Sequence, residues 1–186
     1  MTYVRVAAWA LLVCWQATLA ATSYPPVSFD QLIARADVIF VGEVVDVRPF
    51  ALATREGTVI KTRVTFRVAD PLLGSSGAFE ILEFLGGEWE GVGMAIAGMP
   101  RFAAGDRRVV FARRERSINP IVGFTHGLLQ VARDGSGVER VLTADGGAVS
   151  RPESIGALRQ DAPGSPMTLA AFRERVRAAL IEARRR

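Results

Sequence analysis

The chain has 186 residues, 49% of them hydrophobic, with a formal net charge of +4, one histidine and one cysteine. That apolar content excludes a disordered chain, and the length fits one ordinary domain rather than several. A lone histidine and a lone cysteine cannot supply a usual zinc ligand set, so neither a metal nor a cofactor is expected.

The first twenty-one residues read as a signal peptide. Arg5 gives a positive start, residues 6–15 are almost wholly apolar, and Thr18, Leu19, Ala20 and Ala21 supply small residues for cleavage after Ala20 or Ala21. The apolar run is too short to span a bilayer, and Pro25 and Pro26 end any helix soon afterwards. No transmembrane span is expected in the remainder. Cys14 lies inside the apolar run, and Val13 stands where a lipoprotein signal needs a small residue. Cleavage therefore leaves a cysteine-free chain without disulfides, destined for the periplasm or the extracellular space.

Ser28, with Gln31 three residues on, has the form of a capping box and predicts a short helix to about Ala36. Residues 38–47 are nearly continuous in apolar, β-branched side chains, as in a strand buried on much of both faces. Ile60, Thr62, Val64, Phe66 and Val68 alternate with Lys61, Arg63, Thr65 and Arg67, which predicts a strand with one buried and one wet face. Asp70 and Pro71 should end it. A third strand is expected from Phe79 to Leu85, then a glycine-rich loop over 86–105 that carries Trp89, the one tryptophan left after cleavage. A fourth strand follows from Arg107 to Ala112.

Asn119-Pro120 then turns the chain. Two strands, 128–133 and 138–142, flank Asp134-Gly135-Ser136-Gly137, a strong hairpin signal. Residues 145–167 read as a polar loop or linker, and 168–186 as an amphipathic helix with Leu169, Phe172, Val176, Leu180 and Ala183 on one stripe. That helix holds six arginines against two glutamates, so the body of the mature chain is close to neutral. A nucleic-acid footprint is not expected. The fold class predicted is mainly β, of the α+β kind. A small antiparallel OB-like barrel over 22–144 lies between a short N-terminal helix and the C-terminal helix, which packs on it.

No set of residues forms a recognisable catalytic motif. His126 could act as a base, but no nucleophile elbow accompanies it, and a locally bonded turn histidine is the simpler reading. Glu80 and Glu83 point to opposite faces of their strand and cannot pair. Glu88 and Glu90 flank Trp89 in the glycine-rich loop, where a solvated acidic loop beside an aromatic is the plain alternative. Gly86, Gly87, Gly91 and Gly93 lack the lysine and hydroxyl that complete a phosphate loop. Residues 98–102 read most simply as a turn, with Phe102 plugging one end of the barrel.

The run Ala36-Asp37-Val38-Ile39-Phe40-Val41-Gly42-Glu43-Val44-Val45, then Val64 to Val68 with Leu73-Gly74, then Phe102 and Gly105 to Phe111, resembles the netrin-like module, the OB-fold of the tissue inhibitors of metalloproteinases. The resemblance covers about residues 24–115 and implies an exported bacterial form without the family's cysteines. It also implies a non-enzymatic binding module, with an exported protease or another envelope protein as partner. In the animal inhibitors the amine and carbonyl of the mature first residue bind the target's catalytic metal. Carried over, that role falls on Ala21 or Thr22, with Ser23 and Tyr24 following, and Trp89 is the second contact candidate. Two other readings stand beside it: an envelope hydrolase using Glu88 or Glu90 with His126, and a polysaccharide- or lipid-binding protein using Trp89 and the basic helix.

Overall fold

A computed structural model describes residues 27–75, 77–115, 117–156 and 164–185. The leader and the candidate contacts Ala21, Thr22, Ser23 and Tyr24 lie outside the described residues. Helix α1 (Phe29–Arg35) opens on Ser28, whose hydroxyl accepts the Gln31 N–H while the Gln31 side chain accepts the Ser28 N–H. Both partners of the expected capping box are thus engaged, which satisfies two N–H groups that the helix itself cannot.

Strands β1 (Val38–Thr54), β2 (Gly57–Leu73), β3 (Phe79–Leu85), β6 (Arg107–Ala112), β7 (Leu128–Arg133) and β8 (Glu139–Leu142) form one antiparallel six-stranded sheet in the order β3-β2-β1-β6-β7-β8. Strands β4 (Gly87–Trp89) and β5 (Val92–Met94) form a separate hairpin, and helix α2 (Leu169–Ala183) ends the chain. Two sequence expectations fail here. Asp70 and Pro71 do not end β2, because β3 pairs with β2 only as far as Arg67, so the missing proline N–H breaks no ladder on that side. The glycine-rich stretch also contains a hairpin rather than loop alone.

The sheet carries a core on each face. On one, Ile39, Val41, Val109, Phe111, Leu129 and Val141 meet α1 and α2, where Phe172 stacks edge-on against Phe29 at 6.1 Å and Phe111 at 6.4 Å. On the other, Val38, Phe40, Val44, Val64, Phe66 and Phe84 pack together, and Phe102 from the 98–106 segment covers Phe66 and Phe84 at 5.8 and 4.8 Å. Phe102 therefore covers this face of an open sheet, where the sequence suggested a plug for one end of a barrel.

The second core needs the sheet to curl. β1 supplies the curl through three register shifts against β2, between Ile39 and Phe40, Val41 and Gly42, and Val44 and Asp46. Gly42 lies at one of them, where a Cβ would come within 2.9 Å of the Phe40 ring and 3.1 Å of the Arg67 carbonyl. The curl does not close a barrel. Among the described residues no ladder joins the ends of the sheet, and β3 reaches the 113–120 segment through a Leu85 N–H to Ile118 carbonyl bond and an Arg114–Glu80 contact at 3.5 Å. The segment that would complete the circle turns at Asn119-Pro120 and makes a single bridge, Ile121 to Ala112.

The expected linker is also something else. Val149 and Ile155 are buried in the helix-side core, and a short 3-10 turn, Pro152–Ser154, packs near α1. Met167 and Val149 exchange backbone bonds with Val141 and one another, which covers the open edge of β8. α2 is fastened by Thr168 as N-cap and by Asp70, which pairs with both Arg173 and Arg177.

Phe66 is fully buried between Phe40 and Phe102, whereas the neighbouring Arg67 points outward and pairs with Glu43 at 3.0 Å. Phe66→Ala should cost about 3–5 kcal/mol in a denaturant titration. Arg67→Ala should change stability by no more than about 0.5–1 kcal/mol, as expected for an exposed pair.

Candidate functional site

Two pockets lie on either side of the 98–101 segment, and Met99, Pro100 and Arg101 line both. The first, of about 790 Å³, runs beneath the β4–β5 hairpin. Its walls are mostly apolar and adaptable: Phe84, Met94, Ile96, Met99 and Phe102, with the backbone of Gly86 and Gly87 at the hairpin root. The hairpin is tied to the sheet by Thr62, whose hydroxyl donates to the Gly86 carbonyl at 2.7 Å, and by the Gly86 N–H to the Ile60 carbonyl. At its far end Trp89 faces Val92 across the two strands, and the pair stands 38% and 64% exposed. An exposed aromatic and an exposed branched residue side by side at a hairpin tip are costly to leave in water.

Glu88 lines this groove opposite Gly93, and Glu90 occupies the tip with a left-handed φ of 49°. Both are exposed. The other two acids of this region are spent on partners: Glu80 meets Arg114, and Glu83 binds Arg63 at 2.8 Å and Lys61 at 3.6 Å. The Arg63 hydrogen bond is the main reason that the Glu83 carboxyl titrates below its usual range. Their separation onto opposite faces agrees with the alternation of the strand.

The second pocket, of about 550 Å³, contains His126. The histidine sits in a turn, as expected, but this turn also lines a cleft, which the sequence did not indicate. Its loop is unusually determined. Asn119, a buried polar side chain, donates to the Phe124 carbonyl at 3.0 Å and accepts the Ile121 N–H at 2.9 Å. Gly123 and Phe124 both have left-handed φ angles, 65° and 66°. Glycine suits the first, since a Cβ at position 123 would meet Val27 at 2.7 Å. For a bulky aromatic the same conformation is strained, and such strain persists only where the surroundings impose it.

The result is a fixed imidazole. The Gly123 carbonyl accepts the N–H groups of Thr125 and His126 and lies 2.8 Å from His126 Nδ1. A carbonyl only accepts, so Nδ1 carries the proton and Nε2 is the acceptor that remains. Arg101, Arg108, Thr143 and Asp145 line the same pocket, with the buried Leu129 and Ile155 of the helix-side core and Leu128 of the other. The Thr143 hydroxyl donates to Asp145 at 2.5 Å and is the largest influence holding that carboxyl below its usual range.

Glu88 and His126 thus line different pockets, with the 98–101 segment as the shared wall. No group of three or more potential metal ligands occurs among the described residues. Trp89 lines neither pocket and stands exposed at the hairpin tip. The His126 pocket was missed because its walls come from 98–108, 125–129 and 143–156, which nothing local in the sequence connects.

Asn119→Ala should remove both loop bonds, destabilise the protein by about 1–3 kcal/mol, and release the imidazole. Because there is one histidine, the imidazole C–H proton resonances check the second effect directly: they should move toward free-histidine values in the variant. No protein-family model, no curated protein and no solved structure matches the chain.

Proposed function

We propose that the protein is an exported, non-enzymatic binding module that engages a protein partner through the β4–β5 hairpin and the groove beneath it. The observation that carries this reading is the exposed Trp89–Val92 pair at the tip of a hairpin whose other residues, Gly87, Glu88, Gly93 and Met94, border a groove walled also by Ile96, Met99 and Phe102. Aromatic anchors beside adaptable methionines are the composition of recognition surfaces. The groove holds no assembled nucleophile, base and stabiliser.

The finer fold reading belongs here too. We read the curled sheet as an OB-like barrel left open between β3 and residues 113–120. Its support is the triple register shift in β1, the inner core plugged by Phe102 and the Leu85–Ile118 bond across the gap. With the netrin-like pattern of strands, this favours an inhibitor or accessory protein of an exported protease. In that version the mature N-terminus, from Ala21 or Thr22 through Tyr24, is a second contact. It has no cysteine to pin it, and ordering a free segment costs binding energy, so Trp89 is the stronger contact.

The other readings gain less. A hydrolase pairing Glu88 or Glu90 with His126 needs groups that line one cleft, and Glu88 and His126 line two. A polysaccharide- or lipid-binding role would use Trp89 and the basic helix; Arg173 and Arg177 there pair with Asp70 and Arg175 with Glu153, which leaves Arg184 and Arg185 at the helix end as its cations among the described residues.

The test is capture of envelope proteins by the immobilised exported protein. Trp89→Ala should weaken capture of the partner by about 30-fold, the effect of losing an anchor worth about 2 kcal/mol, while His126→Ala leaves it unchanged. Capture insensitive to Trp89, together with a hydrolytic activity abolished by His126→Ala, would overturn the reading.

A further inference from the structure

The His126 pocket shares only the Met99–Arg101 wall with the hairpin groove, and its loop is held by several independent devices. A buried asparagine, two successive left-handed residues and a carbonyl with three donors all serve to hold one ring. Strain of this kind points to a use for what it positions.

The polar groups around the ring are of two signs. On the side of β6 and the segment before it stand Arg101 and Arg108. Arg101 is exposed at the mouth and makes no ion pair among the described residues. Arg108 is deeper, 12% exposed, and gives one amino group to Asp106 at 2.7 Å. Its Nε is buried with no acceptor, and a buried donor left unmatched costs stability that an incoming oxygen would recover. Two guanidinium groups with free donors are suited to a carboxylate, which they can meet in their own plane.

The 143–156 segment and the His126 loop supply the opposite character. Asp145 stands at the mouth, kept ionised by the Thr143 hydroxyl and by backbone N–H groups. His126 offers Nε2 as a second acceptor. The two arginines are balanced by Asp106 and Asp145, so the walls carry almost no net charge. An isolated anion or cation would leave one wall unanswered. Leu129 and Ile155 of the helix-side core give the pocket an apolar floor, each no more than 2% exposed.

We propose that this pocket binds a small zwitterion of the apolar amino-acid type. Its carboxylate lies on Arg101 and Arg108, its ammonium faces Asp145 and His126 Nε2, and its side chain rests on the leucine and isoleucine floor. A volume of about 550 Å³ is ample for such a ligand. Catalysis on the ligand is not part of the inference, because two of the hydroxyls lining the pocket are committed: Thr143 donates to Asp145, and Ser154 to the Arg151 carbonyl. The site does not depend on the partner proposed for the hairpin.

The single histidine makes the test direct. The imidazole C–H resonances of the exported protein are followed at neutral pH during titration with leucine, with isocaproate, which lacks the amine, and with isoamylamine, which lacks the carboxylate. Leucine should give a saturable shift, and each half-ligand should bind at least about tenfold more weakly. Arg101→Ala and Asp145→Asn should each weaken leucine about tenfold, while Arg55→Ala, in the exposed β1–β2 turn, leaves it unchanged. Arg101 is exposed and unpaired, so its variant should fold normally. A failure of all three ligands to shift the signal saturably would overturn the proposal. So would isocaproate binding as tightly as leucine, which would make this an anion site, or isoamylamine doing so, which would make it a cation site.

Discussion

The fold depends on one strand segment that has no free side. From Ile39 to Glu43, β1 is paired with β2 on one edge and β6 on the other, and from Val38 to Val44 it sends side chains into both cores. Ile39 and Val41 face the helices, and Val38, Phe40 and Val44 face the plugged side. A slip of one residue would exchange these sets and place them against the wrong partners. The register shifts against β2 are therefore specified from both directions. On the plugged side Phe102 lies against Phe66 and Phe84, next to the 98–101 segment that walls both pockets.

What was legible in the sequence was what is local. Ser28 and Gln31 announce a helix because both capping bonds span three residues. The strand Phe79–Leu85 is bounded by glycines that allow the chain to turn. The Asp134-Gly135-Ser136-Gly137 turn works through Asp134, whose carboxylate accepts from the Ser136 and Val138 N–H groups, the Ser136 hydroxyl and Arg140. These bonds hold its carboxyl well below the usual range, the Ser136 hydroxyl foremost. Each of these signals lies within a few residues of its effect.

What was not legible was set by distant partners. Pro71 is tolerated inside β2 because β3 has already stopped pairing, a fact recorded nowhere near Pro71. Residues 145–156 look polar, yet Val149 and Ile155 return to the core because α1 and β8 leave space for them. Barrel closure failed for the same reason: the outcome turned on where residues 113–120 run, not on the number of strands. Trp89 could be named as a contact candidate from composition alone, and the structure leaves it exposed. The setting of His126 could not: the bonds within 119–126 are local, but the cleft around the ring is walled by 98–108 and 143–156, far away in the chain.

In this architecture the rigid part and the recognising parts are separated. The doubly buried segment of β1 and its neighbours should open only when the whole domain unfolds. The β4–β5 hairpin is held by few bonds and should open locally. Amide hydrogen exchange measures this division directly. The account predicts that amides of 39–44, 64–66 and 109–111 exchange at one common, slowest rate, from both sides of the sheet alike, while those of 87–94 exchange much faster. Protection that divides instead into two levels, with the helix-side core slow and the β2–β3 side fast, would contradict the claim that a single shared strand makes the two cores one unit.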